Sequence, residues 1–144
     1  MAIILKENAP YFHINNKRKL KQWIKESVVN ENYIPEGINF VFDTDEVVYK
    51  VNVKFLKHDW YTDVISFDYN KGKKIYGDIL ISVDRVMDNA KKFGVTMEME
   101  MRRVMIHGVL HLCGYSDETE EERKLMKKTE DKYLCLWEKI MKGE

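Results

Sequence analysis

Apolar residues at helical spacing mark two helices in the first third of the chain. From Asn16 to about Asn30 they recur every three or four residues, which predicts an amphipathic helix that ends before a turn at Pro35–Gly37. The inward positions of this helix are Leu20, Trp23, Ile24 and Val28. A second helix is predicted from Thr44 to about Lys57, because threonine is a good N-cap, and Asp45 and Glu46 suit the positive end of a helix dipole.

β-rich runs lie between and before these helices. Ile38–Phe42 predicts one strand, and Ile3–Leu5 is a candidate for another. Two more strands are predicted at Val64–Tyr69 and Ile75–Val83, with Asn70–Gly72 at a spacing that fits a hairpin loop.

The C-terminal half is predicted to be helical. Asp84 is expected to cap a third helix that ends at Gly94. Thr96 is expected to cap a fourth helix that ends at Gly114, and Thr119 is expected to cap a fifth. Their expected inward residues are Val86, Ala90 and Phe93, then Met97, Met101, Val104, Met105 and Leu112, then Leu125, Met126, Tyr133, Leu136, Trp137 and Ile140. The pattern predicts an α+β fold: a single domain over residues 1–144, in which a small mixed four-stranded sheet packs with about five helices.

Composition narrows the possible partners. The 24 basic and 24 acidic residues give no net charge, which argues against a bulk basic surface, so any RNA contact must be a local patch. No apolar run is long enough to span a membrane, and the first residues lack a signal peptide's apolar core, so we expect a cytoplasmic protein. Cys113 and Cys135 are expected to be reduced, buried side chains, with a bridge between them disfavoured.

The strongest chemical signal lies at the end of the fourth predicted helix. His107 and His111 are four residues apart, so they project in nearly the same direction with a rise of roughly 6 Å. Gly114 ends the helix, which lets Asp117 return a carboxylate oxygen as a third ligand. Backbone carbonyls or solvent alone can satisfy two helical histidines, but the helix stop and the carboxylate favour one bound Zn²⁺ ion. Another divalent metal is the alternative, because one ligand is a carboxylate.

Two histidines and one carboxylate leave a position open on tetrahedral zinc, where the pKa of a bound water falls toward ~7 and hydrolysis becomes possible. Zincin peptidases place a glutamate after the first histidine as general base, but here Gly108 stands there, so this is a zincin-like metal helix without that base. A mid-helix glycine costs about 1 kcal/mol relative to alanine, which indicates close approach of a bulky substrate or neighbouring backbone. Cys113 lies about 200° around the helix from His111 and is assigned to core packing.

The segment from His107 to Asp117, HGVLHLCGYSD, resembles the YbeY family of bacterial endoribonucleases, which share H-G-x-L-H-L-x-G-Y-D-H. Further resemblance lies in TDVISF at residues 62–67, in GDILIS at residues 77–82, and in Met126 with Glu130 of the last helix. The resemblance implies a zinc-dependent, single-strand-specific endoribonuclease and rRNA maturation factor. It further implies 16S rRNA 3′-end processing and ribosome quality control, with ribosomal RNA, small ribosomal subunit proteins and assembly factors as partners.

The chain departs from the family pattern at two places. The final D-H of the motif is Ser116–Asp117 here, so the third ligand is a carboxylate in place of imidazole, and we expect weaker acidification of bound water. The arginine that many members carry before T-D-V aligns with Leu56, which leaves Lys57 or His58 as possible substitutes.

RNA cleavage also needs cations that hold phosphate. Arg103 lies one turn before His107 and is the candidate phosphate contact. A second candidate group is the predicted loop lysines Lys71, Lys73 and Lys74. Asp63 and Asp78 lie in the shared strand motifs, where structural roles are favoured over the orientation of ligands.

The sequence is compatible with three functions. Metal-dependent hydrolysis of RNA leads, and the substrate comes from the resemblance. A metallopeptidase-like hydrolase is opposed by Gly108. A non-catalytic, metal-stabilised ribosome-assembly adaptor would require a fourth protein ligand that closes the site.

Overall fold

A computed structural model describes residues 2–143, and its strands form one mixed sheet. The strands are β1 (Ala2–Glu7), β2 (Ile34–Asp43), β3 (Val64–Asp68) and β4 (Lys74–Ser82), in the spatial order β1-β2-β4-β3. β1, β2 and β4 are parallel, whereas β3 pairs antiparallel with β4 at the edge of the sheet. Parallel strands need crossover connections, usually helical, and the long connections after β1 and β2 contain such helices.

Within residues 2–143, five helices complete the α+β fold. They are α1 (Lys17–Asn30), α2 (Asp45–Leu56), α3 (Val83–Phe93), α4 (Met97–Leu112) and α5 (Glu120–Met141). The buried core joins one face of the sheet to α1, α3, α4 and α5, with Trp23, Phe40, Ile79 and Met105 fully buried. α4 is held against the edge strand, because Ser66 Oγ donates to Gly108 O (3.2 Å) and Asn70 Nδ2 to Leu112 O (2.7 Å).

The threonine caps predicted from sequence are confirmed. Thr44, Thr96 and Thr119 each accept a hydrogen bond from a backbone N–H of the first turn of α2, α4 and α5. At α5 the Glu122 side chain also accepts from the Thr119 N–H, which completes the capping box. The hairpin loop between β3 and β4 is also observed, with Gly72 in the left-handed region.

Two predicted boundaries are wrong. Pro35–Gly37 lies inside β2 and not in a turn; a register shift between Pro35 and Gly37 accommodates the proline, which has no N–H for the ladder. The chain reverses earlier, at Asn32, whose φ is 68°. Ser82, and not Asp84, caps α3 through its Oγ, which accepts from the Arg85 N–H.

The Asp84 carboxylate instead links two elements that are distant in sequence. It accepts hydrogen bonds from the Asp45 backbone N–H (2.8 Å) and the Tyr11 hydroxyl (2.6 Å). The side chain therefore connects the start of α3 to the start of α2. Helical periodicity cannot reveal such a tertiary role.

Three residues expected inside are exposed. Phe93 and Leu125 are 61% and 54% exposed, and Cys135 also faces solvent, whereas Leu136 is half-buried. Each lies on the margin of an apolar helical stripe, where the neighbouring elements decide burial. Cys113 and Cys135 are both free thiols, as expected. Within residues 2–143, no helix is both long enough and apolar enough to cross a membrane.

Candidate metal centre

Three predicted ligands come together at the C-terminal end of α4. His107 Nε2 and His111 Nε2 are 3.0 Å apart, and Asp117 Oδ2 lies 3.2 Å from the first nitrogen and 3.4 Å from the second. Gly114, with φ of 97°, ends the helix and turns the chain so that Asp117 returns to the histidines. The three residues form a group that could hold a metal ion.

Gly108 allows α4 to lie close to the sheet beneath this group. A Cβ on this residue would lie 2.8 Å from Ile79 Cγ2 and 3.2 Å from Ser66 Oγ. The close approach expected from the sequence is therefore made by side chains of β3 and β4. Gly108 has a packing role that does not require a substrate.

The far nitrogen of each imidazole is anchored by the protein. His107 Nδ1 lies 2.6 Å from Glu130 Oε2, and His111 Nδ1 lies 3.0 Å from the carbonyl oxygen of Tyr115. Since both partners are acceptors, the network assigns the proton of each ring to Nδ1. The two Nε2 lone pairs then face each other and Asp117.

The donor set and its spacing fit a zinc ion. Ligand bonds of ~2.0–2.1 Å in a tetrahedron give ligand–ligand separations of about 3.3 Å. The observed separations of 3.0, 3.2 and 3.4 Å lie around that value. Two imidazole nitrogens and a carboxylate oxygen are also ligands that zinc accepts.

The electrostatics of the group favour a positive charge. Burial alone would lower the pKa of His107, but the hydrogen bond and charge of Glu130, with the charges of Asp117 and Asp63, outweigh it and raise that pKa. Burial raises the pKa of Asp63, which also accepts a hydrogen bond from Asn89. Carboxylates on several sides thus stabilise a cation at His107.

Sequence reasoning did not assign a role in the site to Glu130. This residue is 6% exposed, and its second oxygen accepts from Arg103 Nη1 (2.8 Å). A signal was available, because Glu130 occurs at helical spacing among Met126, Tyr133 and Trp137 on the buried face of α5. A charged residue in an apolar stripe indicates a buried partner.

Arg103, the candidate phosphate contact, is already paired. Its guanidinium donates to Glu130 and to Asp131 (2.7 Å), and its side chain is 32% exposed. It lines the cleft that holds His107 and Asp117, so it lies near the site but with its charge balanced by two carboxylates.

The other candidates from the sequence lie outside this cleft. Lys71 and Lys73 lie over the rings of Tyr76 and Tyr33, and none of the loop lysines lines the cleft. Leu56, Lys57 and His58 are at the end of α2 and likewise do not line it. Asp78 accepts from Asn39 Nδ2 (3.0 Å) on the face of the sheet opposite Ile79, which supports a structural role.

Cys113 behaves as predicted. It is buried, and burial raises the pKa of its thiol to about 12. A thiol with that pKa stays protonated at neutral pH and is a poor metal ligand. The side chain packs in the core at the end of α4.

The fold and the site define an α+β protein in which a His-His-Asp group that could hold a metal ion lies at the end of a helix packed on a mixed sheet. Residues 5–138 match the sequence profile of the family described as Endoribonuclease YbeY. The chain belongs to the YbeY family.

Individual relatives agree with this family. A protein named Endoribonuclease YbeY from Flavobacterium johnsoniae is 43% identical over 126 residues, 88% of this chain and 91% of its own length. The protein of that name from Bacteroides thetaiotaomicron is 41% identical over 83% of this chain and 88% of its length. Among solved structures, the solution structure of TM1509 from Thermotoga maritima is similar, with a TM-score of 0.62, 26% identity and coverage of 99% of this chain and 96% of that one.

Proposed function

We propose that this chain is a zinc-dependent endoribonuclease that cuts single-stranded RNA in the cytoplasm. Within that activity, we propose a role in 16S rRNA 3′-end maturation and ribosome quality control, together with small ribosomal subunit proteins and assembly factors. Family membership supports the RNA substrate, because the relatives carry the name endoribonuclease. The observation that carries metal dependence is the set of three ligand atoms with mutual distances of 3.0–3.4 Å.

The residues of the chain would fix both the geometry and the protonation of this centre. Glu130 and the Tyr115 carbonyl hold Nδ1–H of the two histidines, which leaves Nε2 of His107 and His111 as electron-pair donors. Arg123 donates to the carbonyl oxygens of Asp117 and Glu118, which steadies the loop that carries the third ligand. When bound with an open position, zinc lowers the pKa of a water ligand toward ~7 and offsets negative charge on an attacked phosphate.

The site lacks the features of two other functions. A zincin peptidase would have its general base at position 108, but Gly108 packs there against Ile79 and Ser66. A closed structural site would need a fourth ligand, and within residues 2–143 the cluster consists of His107, His111 and Asp117.

The test uses purified protein on single-stranded ribosomal RNA, on a duplex of matched sequence and on casein, each with and without chelator. We expect cleavage of single-stranded RNA alone, its loss with chelator and its return with zinc. Cleavage that persists in chelator, or after His111→Ala, would contradict metal dependence. Cleavage of casein alone would support a peptidase, and no cleavage by the zinc-loaded protein would support the adaptor.

A further inference from the structure

A cleft between α4 and α5 opens at the candidate metal centre. His107 lies beside Glu130 and Arg102 lies over Trp137, so α4 and α5 run antiparallel along it. The cleft has a volume of about 570 Å³, with His107 and Asp117 at one end and Phe93 and Trp137 toward the other. Its lining joins the candidate ligands to residues of α3, α4 and α5.

The cations that line the cleft differ in whether other groups of the protein already pair with them. On α4, Arg103 donates to Glu130 and Asp131, and Arg102 lies 4.9 Å from the centroid of the Trp137 ring. Burial lowers the pKa of Arg102, with the charges of Glu138 and Glu98 opposing this effect. Both arginines of α4 are therefore held by groups of the protein.

The α5 wall carries two cations whose charges are not paired. Lys127 is exposed, and Arg123 donates only to the backbone carbonyls of Asp117 and Glu118. Neither forms an ion pair with a carboxylate among residues 2–143. They are four residues apart, so they lie on one face of α5, about 6 Å apart along its axis. Arg123 lies beside the Asp117 loop, and Lys127 follows along α5 toward Glu130, the partner of His107.

An exposed aromatic ring lies farther along the same cleft. Phe93 ends α3, is 61% exposed and lines the cleft although helical spacing predicts it inside. Single-stranded nucleic acid binds to grooves that combine unpaired cations with an exposed aromatic ring. The cations contact phosphates, and the ring stacks on a base.

We propose that single-stranded RNA lies along the α5 wall of this cleft, with phosphates on Arg123 and Lys127 and a base against Phe93. Arg103 takes no phosphate and acts as a positioning residue that holds Glu130. This assignment rests on the proposed function, and it names the substrate-binding residues of the same site.

Lys127→Gln gives the cleanest test, and Lys128→Gln is its matched control. Lys128 is the next residue, is also exposed and does not line the cleft. Binding of a labelled single-stranded RNA is measured by fluorescence anisotropy over a range of salt concentrations. We expect Lys127→Gln to lower the slope of log affinity against log salt by about 0.7, the value for one phosphate contact on a single strand, with no change for Lys128→Gln. Equal slopes for the two variants would overturn the proposal.

Two further experiments test the contacts proposed for Phe93 and Arg123. Phe93→Ala should weaken RNA binding at least about fivefold, because a stacked base is lost, whereas Phe55→Ala, which removes an equally exposed ring on α2, should not. Arg123→Gln should raise KM more than it lowers kcat, with zinc content measured because Arg123 also holds the Asp117 loop. Equal effects of the two phenylalanine variants, or an unchanged KM in Arg123→Gln, would contradict the path.

Arg103→Gln separates the two roles of that arginine. As a positioning residue it should weaken zinc binding and recover activity at saturating zinc, with KM for RNA unchanged. A raised KM with normal zinc affinity would make Arg103 a phosphate contact and overturn its assignment. If wild-type protein neither cuts nor binds RNA, the proposed function fails; if it cuts RNA while Lys127→Gln matches Lys128→Gln, only the path fails.

Discussion

The hydrogen bond between Glu130 and His107 makes a quantitative prediction about metal affinity. Glu130 Oε2 lies 2.6 Å from His107 Nδ1, and the Glu130 side chain is only 8% exposed, so solvent screens the pair weakly. We predict that replacing Glu130 weakens zinc binding even though Glu130 is not a ligand. The loss should be graded, with Glu130→Gln milder than Glu130→Ala.

The magnitude follows from the type of bond. A hydrogen bond to a charged group contributes about 1.5–3 kcal/mol, and every ~1.4 kcal/mol is tenfold in a dissociation constant. Removing the carboxylate with Glu130→Ala should therefore weaken zinc binding about 10- to 100-fold, the range known for partners of metal-bound histidines. Glutamine keeps a neutral acceptor for Nδ1–H, so Glu130→Gln should cost about tenfold.

The assay is competition for zinc against a chromophoric chelator at neutral pH, with circular dichroism to check that each variant is folded. Asp131→Asn is the control, because it removes the exposed partner of Arg103 and leaves Glu130 in contact with His107. We expect less than about a threefold change for this control. Glu130→Ala with zinc affinity within about threefold of wild type would refute the reasoning.

Three further predictions concern the ligand set, the packing of α4 and one buried carboxylate. Asp117→His replaces an anionic ligand with a neutral one, so the acid limb of the pH–rate profile should move to lower pH; an unchanged profile with full zinc would remove Asp117 from the ligand set. Gly108→Ala places a Cβ 2.8 Å from Ile79 Cγ2, an overlap that should cost about 1–3 kcal/mol of stability. This cost should outweigh the ~1 kcal/mol that alanine gains in helix propensity, so thermal unfolding should show a lower Tm. Burial, with the charge of Asp63, raises the pKa of Glu100, so its ionisation in the folded state costs stability. Glu100→Gln should then raise Tm at neutral pH. This gain in Tm should shrink as the pH falls through the raised pKa of Glu100, and it should vanish below the ordinary pKa of glutamate. The same gain in Tm at every pH would contradict this reasoning.

Local signals in the sequence were sufficient for most elements of the fold. The threonine caps of α2, α4 and α5 act within one turn, and a hairpin loop depends on a few adjacent residues, so their sequence signatures can be read directly. The predictions were wrong where contacts with a distant element decide the strand boundary or the burial of a side chain. Pro35 is accommodated by an irregular register between β2 and β4, and Phe93 at the end of α3 is 61% exposed and lines a cleft beside α4 and α5.

The sequence by itself determined the clustering of His107, His111 and Asp117, because helix geometry places the two histidines on one face and a glycine stop lets Asp117 return. Only the tertiary structure decided what supports that cluster. Glu130 reaches His107 from another helix, 23 residues further along the chain, and by pairing with Arg103 it changes the expected role of that arginine. The difference is physical: spacing within one helix fixes directions over a single turn, whereas contacts between helices depend on how they pack.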